Sequence, residues 1–445
     1  MHPKIIVIDD DPTGSQTVHS CLLLLRWDVE TLQIALRDAA PIFFILANTR
    51  SMTVDGAIAT VRDICRNLKT ALALENIEHY LLVSRSDSTL RGHFPAETEA
   101  IAAEFGEFDA CFHTPAFFEG GRITRDGTHY IVEDERLIPV HETEFAQDAV
   151  FGFNHSFLPD YIAEKTEGAI AAQTVQMIQP RQLDANFEQY LLNLHQNQQV
   201  VINAETQADF DRITPALWQA IAQGKKFLFR SAASLLTSLA DLGSQPIPAA
   251  AMGNYRSTDK PGIIFIGSHV RKTTEQLTEL LQSPDVQGIE IDVEQCQNPG
   301  DRRALITTIS AQIQQIFIQN LTPVIYTSRT FIPQPHPSQQ LHYGENITAF
   351  FLELLPHLPS DISYLISKGG NTTNQLLSKG LHLQKVSLLG QIMAGCCLVR
   401  TEVTHPLFPN LPIVLFPGNV GDRQTLQTLH KRLQSPPSLR LTHHT

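Results

Sequence analysis

The sequence predicts an α/β fold of two domains, each with a largely parallel sheet flanked by helices. Three observations predict it. Short apolar runs rich in β-branched residues recur along nearly the whole chain, and they are continuous rather than alternating, as strands buried on both faces are. Helical periodicities lie between them. The pattern then stops and restarts near residue 250, and 445 residues exceed what a single core commonly holds.

In the first half the strands are Lys4-Ile5-Ile6-Val7-Ile8, Ile42-Phe43-Phe44-Ile45-Leu46 and Tyr80-Leu81-Leu82-Val83. Between the last two, Ala57, Ile58, Val61, Ile64, Cys65, Leu68 and Leu72 recur at helical spacing. The second half opens on Gly262-Ile263-Ile264-Phe265-Ile266-Gly267, with further strands from Gly288 to Val293, Pro323 to Ser328, Tyr364 to Ser367, Val386 to Leu389 and Ile413 to Phe416. Leu305, Ile306, Ile309, Ile313, Ile316 and Phe317 mark one of its helices. From Gly243 to Pro261 the chain has Gly, Ser, Pro and Ala but little periodicity. The expected organisation is therefore a domain over 1–245, a linker over 246–261, a domain over 262–434 and a tail over 435–445.

Composition excludes several function classes. Hydrophobic residues at 42% against 18% charged make a globular balance, not a disordered one. With 33 basic and 46 acidic residues, a net charge of −13 and no basic run, broad binding to nucleic acid or a membrane surface is not expected. No apolar run approaches the roughly 18 residues of a transmembrane helix; Cys21-Leu22-Leu23-Leu24-Leu25 ends at a charge. The leading apolar run is too short for a signal-peptide core. Cys21, Cys65, Cys111, Cys296, Cys396 and Cys397 include no CxxC, so no structural zinc is expected and a reducing, cytoplasmic setting is the simplest reading.

Chemistry is concentrated where strands end. The first strand runs into Asp9-Asp10-Asp11-Pro12-Thr13-Gly14-Ser15. Open α/β sheets bind ligands at the carboxyl ends of their strands, and three crowded carboxylates demand a cation or donated hydrogen bonds; a capped turn is the bland alternative. Ser84-Arg85-Ser86-Asp87-Ser88-Thr89-Leu90-Arg91-Gly92-His93 follows another strand and gathers hydroxyls and arginines that suit a carboxylate or phosphate. Pro115-Ala116-Phe117-Phe118-Glu119-Gly120-Gly121-Arg122, with Thr124 and Asp126-Gly127, forms either a binding loop or a hairpin. His129, His141 and His155 are spaced unlike metal ligands and are expected to be packed or surface residues.

Three glycine signatures follow strands in the second half: Gly267-Ser268-His269, Lys368-Gly369-Gly370-Asn371-Thr372-Thr373 and Phe416-Pro417-Gly418-Asn419-Val420-Gly421-Asp422. Glycine lets backbone amides approach a phosphate, so converging loops of this kind suit a nucleotide. Asp422 is expected to cap a helix. Neither GxxxxGK[ST] nor GxGxxG occurs, nor GxSxG or HExxH. One anion cradle and one phosphate cradle in separate domains suggest group transfer between two bound molecules.

Taken together, the segments Asp10-Asp11-Pro12-Thr13-Gly14, Asp87-Ser88-Thr89-Leu90-Arg91-Gly92, Gly121-Arg122 with Asp126-Gly127, Gly267-Ser268, Gly369-Gly370-Asn371-Thr372 and Pro417-Gly418-Asn419-Val420-Gly421 resemble the four-carbon acid sugar kinase family. The resemblance implies an ATP-dependent kinase of a small sugar acid. It implies catalysis by Asp10 or Asp11 and substrate binding by Ser88, Thr89, Arg91, Gly92 and Arg122. It further implies nucleotide binding by Ser268, Gly369, Gly370, Asn371, Thr372, Gly418 and Gly421, with ATP and Mg²⁺ as cofactors and no protein-bound metal. The implied partner is a small sugar acid, with no nucleic acid or membrane; a homo-oligomer is left open. Pro12, Asn371 and Phe416 depart from the family's commoner pattern, the last by replacing a lysine. A nucleotide-independent isomerase or aldolase, and a non-catalytic metabolite-binding protein, are the alternatives.

Overall fold

The structure, a computed structural model, describes residues 3–15, 17–183, 186–329, 337–418 and 420–434, with the backbone alone for 337–341 and 371. The expected tail over 435–445 lies outside the described residues. The chain divides into two compact units, Met1–Gly243 and Ser244–Thr445.

In the first unit the parallel strands run in the order Cys21–Leu24, Ile42–Leu46, Lys4–Asp9, Tyr80–Arg85, Phe227–Ser231, Ala110–Thr114, Gln198–Ile202 and Gln176–Ile178. Continuous apolar composition follows from helices covering the sheet. The helix Val54–Leu74 starts where the Thr53 hydroxyl accepts the Gly56 N–H, and it buries Ala57, Val61, Ile64, Cys65, Leu68, Ala71 and Leu72. Val61, Ile64, Cys65, Leu68, Ala71 and Leu72 meet Ile6, Ile8, Phe43, Ile45 and Leu82 from the sheet in one core.

Four strands of this sheet carry no clean apolar signal, because polar side chains stand inside them: His113, Gln198, Gln199, Gln176 and Arg230. The glycine-rich stretch after Pro115 is a hairpin. Arg122–Arg125 pairs antiparallel with Thr128–Glu133 across the Asp126-Gly127 turn, and Arg136–Pro139 adds a third strand.

The second unit orders Val286–Ile291, Thr322–Thr327, Ile263–Ile266, Leu365–Lys368 and Pro412–Phe416 in parallel. Cys396–Arg400 and then Lys385–Met393 continue this sheet antiparallel. Residues 246–261, where the sequence predicts a linker, include the 3₁₀ segment Ala249–Tyr255, whose Met252 is fully buried in the second core. Among the described residues no helix is long and apolar enough to cross a membrane.

Strand order reverses beside Lys4–Asp9 in the first sheet and beside Ile263–Ile266 in the second. Such switch points open a crevice at the carboxyl ends of the strands. Asp9-Asp10-Asp11 and Gly267-Ser268 stand at those two ends.

At the opposite end of the second sheet, the buried Tyr364 hydroxyl meets His430 Nδ1 at 2.9 Å, and His430 Nε2 meets Asp285 at 2.9 Å. Burial pushes the His430 pKa down, so the neutral ring accepts from tyrosine and donates to aspartate. Tyr364→Phe leaves that nitrogen unpaired and is expected to cost about 1–3 kcal/mol, read as a lowered melting temperature with ligand binding to the first unit unchanged.

Candidate active site

Strand register sets Arg85 beside Asp9, and its guanidinium lies 3.0 Å from Asp10 and 3.5 Å from Asp9. The turn Thr49–Ser51, directly after Ile42–Leu46, brings a second arginine: Arg50 stands 3.3 Å from Asp10, 3.1 Å from Asp11 and 3.3 Å from Asp87. The backbone locks this corner, since Ala47 and Arg50 donate to the Asp9 and Asp10 carbonyls. Gly14 is required by close approach, because a Cβ there would lie 2.0 Å from an Asp9 carboxylate oxygen.

The three aspartates are therefore unlike. Burial pushes Asp9 up to about 8 against the pull of Arg85, so it is largely protonated at neutral pH. Burial raises Asp10 to about 6, with Arg50 and Arg85 opposing. Burial acts on Asp11 too, but Arg50, Arg85 and hydrogen bonds from Thr13 outweigh it and hold it below the usual range. Both Asp11 oxygens are engaged, one by Thr13 and one by Arg50. Asp10 differs: its Oδ1 takes both arginines, while Oδ2 is buried without a hydrogen-bond partner among the described residues. Asp9 Oδ2 and Glu97 Oε2 are orphaned in the same way.

The predicted residues after Tyr80–Arg85 form the adjoining wall. Asp87 is held ionised, burial being outweighed by Arg50 and Arg91. Thr89 donates to Asp87, and Arg91 Nε donates to it at 2.7 Å. Ser88 is buried and its carbonyl faces His129 Nε2 at 2.8 Å. Gly92 has φ 125°, a conformation that favours glycine. Arg122 sits close enough to feel Asp87, and its Nη1 donates to the Gly120 carbonyl. His129 is packed between Thr124 and Ser88, and His141 bonds Ser156.

In the second unit the glycine loops interlock. A Cβ on Gly267 would lie 2.3 Å from the Thr372 hydroxyl, and one on Gly418 would lie 2.9 Å from the Ser268 hydroxyl. Thr273 donates to the Gly418 carbonyl at 3.0 Å, and Gly369 N–H donates to the Phe416 carbonyl at 2.9 Å. Gly370 begins the helix Gly370–Gln375, and the side chain of Asn371, like the whole of Asn419, lies outside the described residues. Gly421 lies against Thr425, where Asp422 accepts from Gln424 N–H and the Thr425 hydroxyl; Asp422 is thus spent on starting the last helix.

Two cations stand among these loops. Lys368 pairs in register with Phe416, lays its ammonium over that ring at 3.6 Å and donates to the Pro417 carbonyl at 2.9 Å. Burial pushes Lys368 down to about 7. Arg329 donates to the Ser268 carbonyl at 2.9 Å, and its Nη1 is buried without a partner among the described residues.

A family model of a sugar-binding N-terminal domain matches residues 5–239, and one of a nucleotide-binding C-terminal domain matches residues 263–426. The chain belongs to the four-carbon acid sugar kinase family. Over 180 residues it is 29% identical to D-threonate kinase of Bordetella bronchiseptica, an alignment that covers 39% of this chain and 42% of that protein. Two solved structures share the fold. A Salmonella typhimurium LT2 protein matches with a TM-score of 0.67 at 18% identity, over 99% of this chain and 100% of that one. Haemophilus influenzae protein HI1011 matches with a TM-score of 0.63 at 16% identity, over 96% and 99%.

Within this four-carbon acid sugar kinase family member, the charged cluster falls in the sugar-binding domain and the glycine loops in the nucleotide-binding one. Sequence reasoning missed Arg50, Glu97, Arg230 and Arg329, and quoted Lys368 in a glycine signature without giving it a role. One signal was available: Arg230 is a lone charge inside the apolar strand Phe227–Ser231. Among the described residues no group of three His, Cys, Asp or Glu side chains is placed to hold a metal ion.

The Asp9 shift has a consequence for stability. Its carboxyl binds a proton more tightly folded than unfolded, so its contribution is full below the ordinary carboxylate pKa and is lost as pH rises through about 8. The melting temperature should fall between pH 6 and pH 9, and Asp9→Asn should flatten that fall; an unchanged slope would place the proton elsewhere.

Proposed function

We propose that the protein is an ATP-dependent kinase that phosphorylates a hydroxyl of a small sugar acid, of the size of threonate. The observation that carries this reading is the buried Asp10 carboxylate, one oxygen held by two arginines and the other without a partner. A general base needs an acceptor atom aimed at its proton and a pKa near working pH. Asp10 Oδ2 is such an atom, and a pKa of about 6 leaves it ionised at neutral pH.

Asp10 takes the proton of the acceptor hydroxyl, and Arg50 and Arg85 fix the carboxylate while it does so. Asp11, with both oxygens engaged, holds Arg50 and the Thr13 turn. Thr89 and Arg91 brace Asp87, while Ser88, Gly92 and Arg122 line the sugar side. The match of a nucleotide-binding domain model to residues 263–426 supports a nucleotide in the second unit, as do the glycine loops packed at its strand ends. Ser268, Thr372 and the backbone of Gly369, Gly370, Gly418 and Gly421 would hold the phosphates, with Lys368 and Arg329 as cations; Asn371 is assigned there from sequence alone. ATP with Mg²⁺, when bound by these residues, would supply the phosphoryl group and neutralise its developing charge.

ADP release across a panel of sugar acids tests the reading; release with none of them would refute it. Asp10→Asn should lower kcat by roughly a hundredfold or more, with nucleotide affinity measured by calorimetry little changed. Gly369, at φ 123°, should not tolerate a side chain: Gly369→Ala should weaken ATP binding about tenfold and leave sugar-acid binding intact, from backbone strain of the order of 1–2 kcal/mol.

A further inference from the structure

We propose that Arg230 is the residue that selects an acid, gripping the carboxylate of a short hydroxy acid whose hydroxyl lies at Asp10. The inference deepens the sugar-acid kinase reading and rests on it for the choice of substrate.

Arg230 is 5% exposed and sits in a strand paired in register with Ser84 on one side and His113 on the other. Its guanidinium lies over the Phe94 ring at 4.9 Å and faces the Tyr161 oxygen, while the Tyr161 hydroxyl donates to the Leu90 carbonyl at 2.8 Å. Its nearest carboxylate, Glu97 Oε2, is 3.6 Å away. A structural arginine–carboxylate pair closes as a fork at roughly 2.7–2.9 Å; this one stays open. Both Nη1 and Nη2 are buried without a hydrogen-bond partner among the described residues, as is Glu97 Oε2. A buried guanidinium left in that state is costly unless something supplies its acceptors.

What supplies them is indicated by Gly92. A Cβ at that position would lie 3.4 Å from Arg230 Nη2 and 3.4 Å from Asp10 Oδ2. Two unpartnered atoms, a fork donor and an ionised acceptor, thus border the same stretch of bare backbone. A hydroxy acid presents the complementary pair, a carboxylate for the fork and an O–H for the aspartate. The sequence points to Arg91 for the acid group, but Arg91, unlike Arg230, has no buried nitrogen left without a hydrogen-bond partner among the described residues. Its Nε donates to Asp87 at 2.7 Å, its Nη1 lies 3.7 Å from Asp148, and its guanidinium covers Phe145 at 5.1 Å. Arg91 is therefore a positioning residue for the Asp87 turn.

The test uses the full chain, with D-threonate and other short hydroxy acids, the matching neutral alcohols, and inorganic phosphate as a competing anion. Turnover is followed by ADP release and binding by calorimetry. Acids should be bound and used, alcohols should be poor substrates, and phosphate should compete weakly. Arg230→Lys, which keeps the charge but loses the fork, should raise KM for the acid about thirtyfold or more, with KM for ATP and the melting temperature nearly unmoved. Glu97→Gln should lower KM for the acid, since it removes the carboxylate facing the bound one; this variant decides the matter if Arg230→Lys does not fold. An acid KM unmoved in folded Arg230→Lys, an acid KM unmoved or raised in Glu97→Gln, an alcohol used as well as its acid, or phosphate bound in preference would each overturn the proposal. Binding that depends on Arg230 without any ADP release would instead overturn the kinase reading and leave the acid site standing. Binding of no acid at all would overturn both.

Discussion

Three consecutive carboxyl groups at the dry end of a central strand are the constraint on which the first unit depends. An isolated carboxylate is too costly to bury, and removing one partner of a buried ion pair typically costs about 3–5 kcal/mol. The chain meets this in three ways at once. Asp9 keeps its proton, Asp10 shares two guanidinium groups, and Asp11 is held by Arg50 and the Thr13 turn. Each solution dictates local structure: Arg50 requires the turn after Ile42–Leu46, Arg85 requires the register of Tyr80–Arg85 against Lys4–Asp9, and Gly14 requires the absence of a side chain. Asp9 Oδ2, Asp10 Oδ2 and Glu97 Oε2 are left over, buried without a hydrogen-bond partner among the described residues.

The second unit handles charge in the opposite manner. Among the described residues its strand ends carry closely packed backbone, with hydroxyls from Ser268 and Thr372 at the points of contact. Lys368 is fully buried with a carbonyl and an aromatic face as its partners, an arrangement that leaves the ammonium weakly compensated and its pKa near 7. The two strand-end clusters differ in kind: the first pairs buried carboxyl groups with arginines, and the second sets Lys368 and Arg329 among closely packed glycine loops. The same strand-end geometry serves both, because parallel sheets expose backbone and loops at their carboxyl ends whatever the residues there.

Much of this was legible in the chain itself. Uninterrupted apolar runs such as Ile5-Ile6-Val7-Ile8 and Ile263–Ile266 identified buried parallel strands, and the segments directly after these two pointed to the strand ends where Asp9-Asp10-Asp11 and Gly267-Ser268 stand, because each signal is local and needs only a few adjacent residues. The strands holding His113, Gln199 and Arg230 were hidden by those same polar side chains, and the antiparallel Cys396–Arg400 strand has no marker of direction at all. Which arginine faces which aspartate was decided only by the fold. Arg50 and Arg85 are far apart in sequence and meet at Asp10 through strand order, and Arg230 comes to the same carboxylate across Gly92, so spacing along the chain does not reveal the cluster. The sequence by itself determined the fold class, the family and the residue types at the two crevices. The tertiary structure alone decided that Arg91 is tied to Asp87 while Arg230 is left open, that Asp10 rather than Asp11 retains a free oxygen, and that Lys368 lies over Phe416. Hydrogen-bond satisfaction is a property of three-dimensional neighbours, and a one-dimensional pattern does not contain it.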